Sequence, residues 1–398
     1  MDSKRELEVL AVAYVIDKHG AARTFKQMAF ELGLSQVQFG RLRKEALASG
    51  YLVDRPRMDA NAIPEHRLAA LDAEFASRSC LHDLDAHRGR FPGLQSIHVF
   101  HSGGSGTDNR ELRQRLEYFS ESAATLIFKL LSRSTVAGVS WGNTLAHLIA
   151  GIEHHTKEHG DRAPDCVIAP MAGEAFGAYP SEQSSSDLSR RLAQAVQARK
   201  KPLSLAGVGA IIPQQFNGAK LQTIRDFIEQ ADSFRSIFGS FRRPSQVPSK
   251  GKKSPRLVDS LDMFLTSCSV DGQPWRSSND FLLHSTGIDR DLLTGVAYSD
   301  IGGVLIRRAQ ESRELDAKFR TLEALWTGIQ RSDLERLVKK AESAQSKAPG
   351  VVLATIGANK ARTVHRLLQE GLVSVLIIDQ TLGNALLDEI KRTHKTSR

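Results

Sequence analysis

Six short runs of aliphatic residues, separated by segments long enough to form helices, constrain the fold of this chain more than any other feature. The runs cover residues 96–100, 135–139, 167–170, 263–265, 351–354 and 373–378. An aliphatic run without alternating polar positions is typical of a strand that is buried on both faces. The sequence therefore predicts an α/β domain, in which a parallel sheet is covered by helices on both faces.

The composition indicates a protein of the reducing cytoplasm. The chain has three cysteines, widely separated and without CxxC spacing, which predicts neither a disulfide framework nor a cysteine-rich zinc site. No stretch approaches 18 uninterrupted apolar residues, and the amino-terminal segment lacks the pattern of a signal peptide. We therefore expect cytoplasmic localisation and no membrane partner. The formal charge of +9 permits a polyanionic partner such as nucleic acid.

At 398 residues the chain is longer than one average domain, and its composition changes along its length. Residues 1–56 predict a compact helical unit, residues 57–93 a helical connector, and residues 94–398 the α/β domain. Residues 242–256 contain six basic residues, three prolines and no acid, which predicts a disordered insertion in that domain.

The segment 28–50 matches the plan of a helix-turn-helix DNA-binding unit. Gly33 falls in the turn, and Leu34, Val37 and Leu42 are predicted to point inward. Residues 1–57 contain ten Lys/Arg against seven Asp/Glu. The polar candidates for the DNA-facing surface are Ser35, Gln36, Gln38, Arg41, Arg43 and Lys44. Gln and Arg can pair with adenine and guanine edges, whereas Ser and Lys suit phosphates. The alternative is an ordinary three-helix bundle with a solvated polar face.

Two junctions between a strand and a helix carry glycines in the carboxyl-terminal part, at residues 136–144 and 354–360. Backbone N–H groups and a helix dipole at such a loop favour a phosphate, to which Thr144 can add a hydroxyl and Lys360 a positive charge. In a third segment, Asp300 lies among small residues and can accept hydrogen bonds from sugar hydroxyls. The alternatives are glycines present for steric reasons and an aspartate that caps a turn.

These segments, in this order, resemble the SorC branch of the SorC/DeoR-type sugar-responsive bacterial transcriptional regulators. The most specific stretches are GVSWGNTL, VIAPMAG, GVAYSDIGG and GANKARTVHRLLQEGLVSVLIIDQTLGNALL. The resemblance implies an effector domain similar to the ribose-phosphate isomerase and glucosamine-phosphate deaminase fold. It also implies operator DNA as a partner, a sugar phosphate as effector, and a homodimer or homotetramer.

The resemblance assigns the effector site residue by residue. Gly142, Asn143 and Thr144 would hold the effector phosphate together with Lys360, and Asp300 would meet the sugar hydroxyls. The chain departs from the family pattern at residues 266–269, which read Thr-Ser-Cys-Ser where the family has a Gly-Ile-Gly-Ser-like turn. Side chains replace both glycines at a turn that should line the pocket, so an unphosphorylated effector is also compatible with the sequence.

No catalytic residue, metal site or cofactor is predicted. His155 and His159 have the i,i+4 spacing of a metal pair but lack a third ligand, which favours a solvated helix end. Two other functions stay open: an isomerase- or deaminase-like enzyme with a fused helical domain, and a DNA-binding protein that needs no ligand.

Overall fold

The computed structural model describes residues 3–19, 24–49, 51–53, 57–58, 65–102, 109–174, 181–239, 256–276, 280–308, 312–343 and 347–396. The helices are α1 (Ser3–His19), α2 (Phe25–Glu31), α3 (Gln36–Ala48), α4 (Glu65–Arg88), α5 (Asn109–Leu131), α6 (Asn143–His159), α7 (Ser185–Ala195), α8 (Gly218–Ile228), α9 (Asp232–Phe238), α10 (Asp280–Thr286), α11 (Arg290–Val296), α12 (Arg313–Glu323), α13 (Arg331–Glu342), α14 (Ala361–Gln369) and α15 (Gln380–Thr396). The strands are β1 (Leu52–Val53), β2 (Arg57–Met58), β3 (Ser96–Phe100), β4 (Val136–Val139), β5 (Val167–Pro170), β6 (Met263–Thr266), β7 (Ala297–Ile301), β8 (Val304–Arg307), β9 (Gly350–Thr355) and β10 (Val375–Asp379).

A parallel sheet of six strands organises the carboxyl-terminal part, in the order β3-β10-β9-β6-β4-β5. Its registers pair Val375 with both Ser96 and Val352, and Ala137 with Met263. Each of the six predicted aliphatic runs forms one of these strands, with ends that differ by no more than two residues. The predicted parallel α/β sheet is therefore confirmed.

Both faces of the sheet are buried, because successive side chains of each strand enter different cores. On β10, Leu376 and Ile378 belong to one core, with side chains of α4, α13, α14 and α15. Val375 and Ile377 belong to the other, with side chains of α5, α6 and α7. Helices therefore cover the sheet on both sides.

The amino-terminal helices form a third, separate core. Helices α2 and α3 begin after the N-cap residues Thr24 and Ser35, whose side chains accept hydrogen bonds from the backbone N–H three residues later. Between them Gly33 has φ +65°, a conformation that glycine adopts at low cost. Strands β1 and β2 pair antiparallel behind α3, as a short wing.

Helix α4 contacts two of these cores. Phe75 on its first half belongs to the amino-terminal core, where its ring lies 6.2 Å from that of Tyr14. Cys80 and Leu84 on its second half are buried in a core of the α/β domain. The helix extends to Arg88, within the predicted connector, because its second half is also apolar on one face.

Two segments lie apart from the six predicted strands. The basic insertion lies outside the described residues, except for Arg256 at its end. The segment around Asp300, which carried no strand prediction, forms the antiparallel hairpin β7–β8.

Candidate functional site

A cavity of about 460 Å³ opens at the carboxyl ends of the sheet strands. Strand β4 leads through α6 to β5 on one side, whereas β6 leads to β9 on the other, so the loops after β4 and β6 diverge. Such a divergence leaves a crevice in open α/β sheets, which is where they bind ligands. All five residues of the predicted effector site line this cavity, namely Gly142, Asn143, Thr144, Asp300 and Lys360.

The amino-terminal end of α6 forms one wall. Gly142 precedes the helix with φ +110°, and no side chain among the described residues caps this end. Its own N–H donates to the carbonyl of Gln183 at 2.9 Å, which fixes the loop against the following segment. The half-buried Asn143 and Thr144 begin the helix. The end of a 17-residue helix without a cap is a site that favours an anion.

Lys360 forms the opposite wall, in the short 3₁₀ turn between β9 and α14. Its Nζ donates a hydrogen bond to Thr355 Oγ1 at 2.8 Å, which holds the half-buried ammonium group toward the cavity. The preceding Gly357 has φ +100°, and its N–H donates to Asp379 at 3.0 Å. The turn therefore brings a positive charge to the same cavity as the helix end.

Asp300 is 5% exposed and anchors the turn of the β7–β8 hairpin. Its Oδ1 accepts the N–H of Trp275 at 2.7 Å, and its Oδ2 accepts the N–H of Gly303 at 3.0 Å. Burial raises the pKa of this carboxyl, while hydrogen bonds from Ser269 and these N–H groups oppose the rise. The turn-capping role considered from sequence is thus present, and Asp300 also lines the cavity.

All three tryptophans of the chain meet at this site. The rings of Trp141 and Trp326 lie 5.3 Å apart edge to face, and those of Trp275 and Trp326 are stacked at 6.3 Å. Trp275 has φ +52°, and its Nε1 donates to the carbonyl of Gly303 at 2.7 Å. Trp141 and Trp275 line the cavity, so its walls combine aromatic surface with the charged groups.

A buried ion pair that the sequence analysis did not identify lies beside the cavity. The guanidinium of Arg115, on α5, is 2.6 Å from Asp379 Oδ2 at the end of β10. Their side chains are 4% and 0% exposed. Ser102 and Thr381 also donate hydroxyl hydrogen bonds to this carboxylate. The two residues are 264 positions apart, so only the assembled sheet could indicate the pair.

The Thr-Ser-Cys-Ser turn after β6 adopts a conformation that does not need glycine. None of its four residues has a positive φ. Thr266 Oγ1 lies 3.0 Å from Ser140 Oγ, and Ser269 Oγ accepts the N–H of Asp300 at 2.9 Å. Cys268 is 6% exposed and lines the cavity, and burial raises the pKa of its thiol to about 11. Thr266, at the first glycine position, and Ser269 therefore brace the turn, and Cys268, at the second glycine position, is a buried thiol at the cavity wall.

The DNA-facing candidates divide into two groups. Gln36, Arg41 and Lys44 are exposed on α3. Ser35 and Gln38 are also exposed, but they form a capping box in which Gln38 Oε1 accepts the Ser35 N–H at 2.9 Å. This hydrogen bond occupies the amide oxygen of Gln38 at the helix end.

Arg43 and Val37 lie differently from the prediction. Arg43 is half-buried, with its guanidinium 5.2 Å from the ring centre of Phe25. Val37 was predicted to point inward, which is wrong, because its side chain is 83% exposed. Helix α3 buries Phe39 and Leu42 instead. A residue two positions before Phe39 is rotated by about 200° around the helix and faces outward.

The described residues contain no group of three or more His, Cys, Asp or Glu side chains placed to hold a metal ion. His155 contacts Asp161 at 3.1 Å and stacks on His159, with 4.5 Å between ring centres. Among the same residues, no helix has the length and hydropathy of a membrane span.

Solved structures share this fold at low sequence identity. The full-length sorbitol operon regulator SorC from Klebsiella pneumoniae has a TM-score of 0.53 at 17% identity, over 97% of this chain and 100% of that chain. A probable sor operon regulator from Shigella flexneri has a TM-score of 0.53 at 16% identity, over 78% of this chain and 99% of that chain. A transcriptional regulator from Streptococcus pneumoniae TIGR4 has a TM-score of 0.54 at 16% identity, over 78% and 98%. No protein-family model and no curated protein sequence matches the chain. The predicted resemblance is therefore confirmed in the fold.

Proposed function

We propose that this chain is a DNA-binding transcriptional regulator whose affinity for operator DNA is controlled by a small-molecule effector. The observation that carries this proposal is the combination, in one chain, of an exposed basic helix α3 with a cavity lined by a helix end and Lys360. The likeness to SorC supports the combination, because it extends over 97% of the chain and includes the amino-terminal helices.

We propose a sugar phosphate as the effector class. The uncapped end of α6 and Lys360 offer backbone N–H groups and a positive charge to an anionic group. Trp141, which is 8% exposed at the cavity wall, offers apolar surface to the carbon face of a sugar, whereas Trp275 is 1% exposed and packs in the core beside it. A molecule with an anionic group at one end and an apolar face elsewhere would fit both groups of residues. We propose that the likeness to the isomerase and deaminase fold therefore includes the class of ligand as well as the sheet.

The groups that line the cavity favour binding over catalysis. Asp300 uses one oxygen for each of two backbone N–H groups, and the thiol of Cys268 is kept neutral by burial. A general base must be free to accept a proton from the substrate, and a nucleophile must be present in its reactive, deprotonated form. We therefore propose no enzymatic role, and turnover of a sugar phosphate by the purified protein would overturn this.

The proposal is tested in two steps on the full chain. Duplexes are first selected from a random pool by binding to the protein, which should yield a common sequence. A panel of sugar phosphates (glucose 6-phosphate, fructose 6-phosphate, ribose 5-phosphate and glucosamine 6-phosphate) and the free sugars is then screened by thermal melting. We expect at least one phosphorylated compound to raise the Tm, since a ligand that binds only the folded state stabilises it. Selection of no common sequence would refute the DNA-binding role.

Removing the charge of Lys360 should weaken effector binding. Lys360→Met keeps the apolar stem but loses a charged hydrogen bond, which corresponds to about 1.5–3 kcal/mol, or a Kd raised by about 10- to 150-fold. Titration calorimetry with the compound that raises the Tm measures this change. Lys220→Met, at an exposed position of α8, removes the same charge outside the cavity and should bind like the unaltered protein. Equal affinities for the two variants would mean that the assigned cavity is not the effector site.

A further inference from the structure

Four residues form a stripe along the outer side of α3. Val37, Gly40, Arg41 and Lys44 are spaced at i, i+3, i+4 and i+7, which places them on one face of the helix. Val37, Arg41 and Lys44 are exposed, and Gly40 is half-buried. We call these four residues the α3 stripe.

Folding buries very little of the Val37 side chain. Its side chain is 83% exposed, more than any other large apolar side chain among the described residues. A β-branched residue also has a lower helix propensity than the straight-chain polar residues that usually occupy such positions. An isolated apolar side chain at the beginning of an otherwise polar helix face is therefore suited to a partner outside the chain.

Gly40 is likewise not required by internal packing. It lies inside a 13-residue helix, where glycine is less favourable than alanine. A Cβ atom built on Gly40 would have no other atom within 4 Å. Unlike Gly33, Gly40 has no positive φ that would require glycine. The missing side chain leaves the backbone open to the close approach of a partner.

The charges around the stripe favour DNA as that partner. Arg41 and Lys44 are exposed beside Val37. The nearby acid Glu45 is engaged by Arg5, whose guanidinium donates to both of its carboxylate oxygens at 2.5 and 3.0 Å. The side of α3 that the stripe occupies therefore has a net positive charge.

The position of Val37 in the helix indicates what it would contact. Val37 is the second residue of α3, and the first residues of a recognition helix reach the base edges in the major groove. The apolar group that the major groove offers is the C5-methyl group of thymine. Val37 thus matches a thymine, while Gln36 and Arg41 beside it remain for polar contacts.

We propose that Val37 contacts the C5-methyl group of a thymine in the major groove, and that Gly40 allows α3 to lie close against the DNA at that point. This inference rests on the proposed function and adds to it the identity of one base in the operator.

The test replaces single thymines by deoxyuridine, which removes only the methyl group. In the duplex selected by the full chain, each thymine is replaced in turn and Kd is measured by fluorescence anisotropy. At one position the unaltered protein should lose about four-fold in affinity, the factor that corresponds to about 0.8 kcal/mol for one buried methyl group. Val37→Ser should bind the thymine and deoxyuridine duplexes equally, whereas Val37→Ile should keep the discrimination.

Three results would overturn the inference. The first is equal affinity of the unaltered protein for the thymine and deoxyuridine duplexes at every position. The second is discrimination that Val37→Ser keeps, which would assign the effect to DNA shape. A change in oligomeric state on Val37→Ser, measured by sedimentation with DNA discrimination intact, would assign Val37 to a protein contact. If the full chain selects no duplex, the proposed DNA-binding function is refuted. If it selects a duplex but shows one of these three results, only the role of Val37 is refuted.

Gly40→Ala tests the close approach independently. The added methyl group meets no atom of the chain, so the Tm should stay equal or rise, while affinity for the selected duplex falls. Gly295→Ala is the matched control, because Gly295 is also a helical glycine with open space at its Cβ position. It lies on α11 and should leave DNA affinity unchanged. Unchanged DNA affinity in Gly40→Ala would contradict the close approach.

Discussion

Asp379→Asn is expected to lower the free energy of unfolding by about 3–5 kcal/mol, the cost of leaving one member of a buried ion pair without its partner. The asparagine side chain has the same shape, but it removes the charge that faces the 4% exposed Arg115. It also weakens the hydrogen bonds that Asp379 Oδ1 accepts from the N–H groups of Gly357 and Leu382. Urea unfolding followed by tryptophan fluorescence measures the loss, because the three tryptophans lie in this part of the structure.

The matched control is an exposed pair on the same helix. Arg113 and Glu117 are 3.2 Å apart, with side chains 76% and 52% exposed. Glu117→Gln should cost less than about 1 kcal/mol, since solvent screens exposed pairs. Replacing both buried partners, as Arg115→Met with Asp379→Leu, should recover part of the loss. Similar losses for Asp379→Asn and Glu117→Gln would show that burial does not determine the strength of the pair.

Gly303→Ala is expected to destabilise the protein by about 2–6 kcal/mol, through backbone strain and overpacking together. Gly303 has φ +96°, and a Cβ atom there would lie 2.0 Å from a carbon of the Trp326 ring. The ring is held in place by the hydrogen bond that its Nε1 donates to the carbonyl of Ile329 at 2.8 Å. Gly328 also packs on the ring, with a Cβ position 2.6 Å from its Cζ2 atom. Thermal and urea unfolding measure the loss, and the emission of the three tryptophans should shift.

Gly207→Ala separates strain from collision. Gly207 has φ +87°, but a Cβ atom there would meet nothing within 4 Å. This variant should show the strain alone, about 1–3 kcal/mol, with unchanged tryptophan emission. An equal loss of unfolding free energy in Gly303→Ala and Gly207→Ala would contradict the close packing of the hairpin turn on Trp326.

The sheet and the cavity could be predicted from sequence because they depend on local patterns. An aliphatic run such as residues 351–354 indicates a strand buried on both faces, whichever strands lie beside it. The carboxyl ends of parallel strands share one edge, so the loops at Thr144 and Lys360 had to lie near each other. The five predicted residues do line one cavity. Their role in effector binding stays a prediction.

The remaining features depend on information that no short segment contains. The Arg115–Asp379 pair requires α5 and β10 to be brought together. The positive φ of Trp275 goes with hydrogen bonds to Asp300 and Gly303, which are distant in sequence. The error at Val37 had a different cause. The buried spacing of α3 runs through Phe39 and Leu42, and counting the period from Phe39 would have placed Val37 outside.

Binding of the effector in the cavity should change the affinity of the protein for its operator DNA. The Kd of the full chain for its selected duplex is measured with and without a saturating amount of the sugar phosphate that raises the Tm. We expect the unaltered protein to change its Kd by at least about five-fold, the lower end of typical coupling between two sites. At the same concentration, Lys360→Met should show a smaller change, because its affinity for the effector is about 10- to 150-fold lower. A duplex affinity that stays the same when the effector is bound would contradict regulation of DNA binding by this cavity.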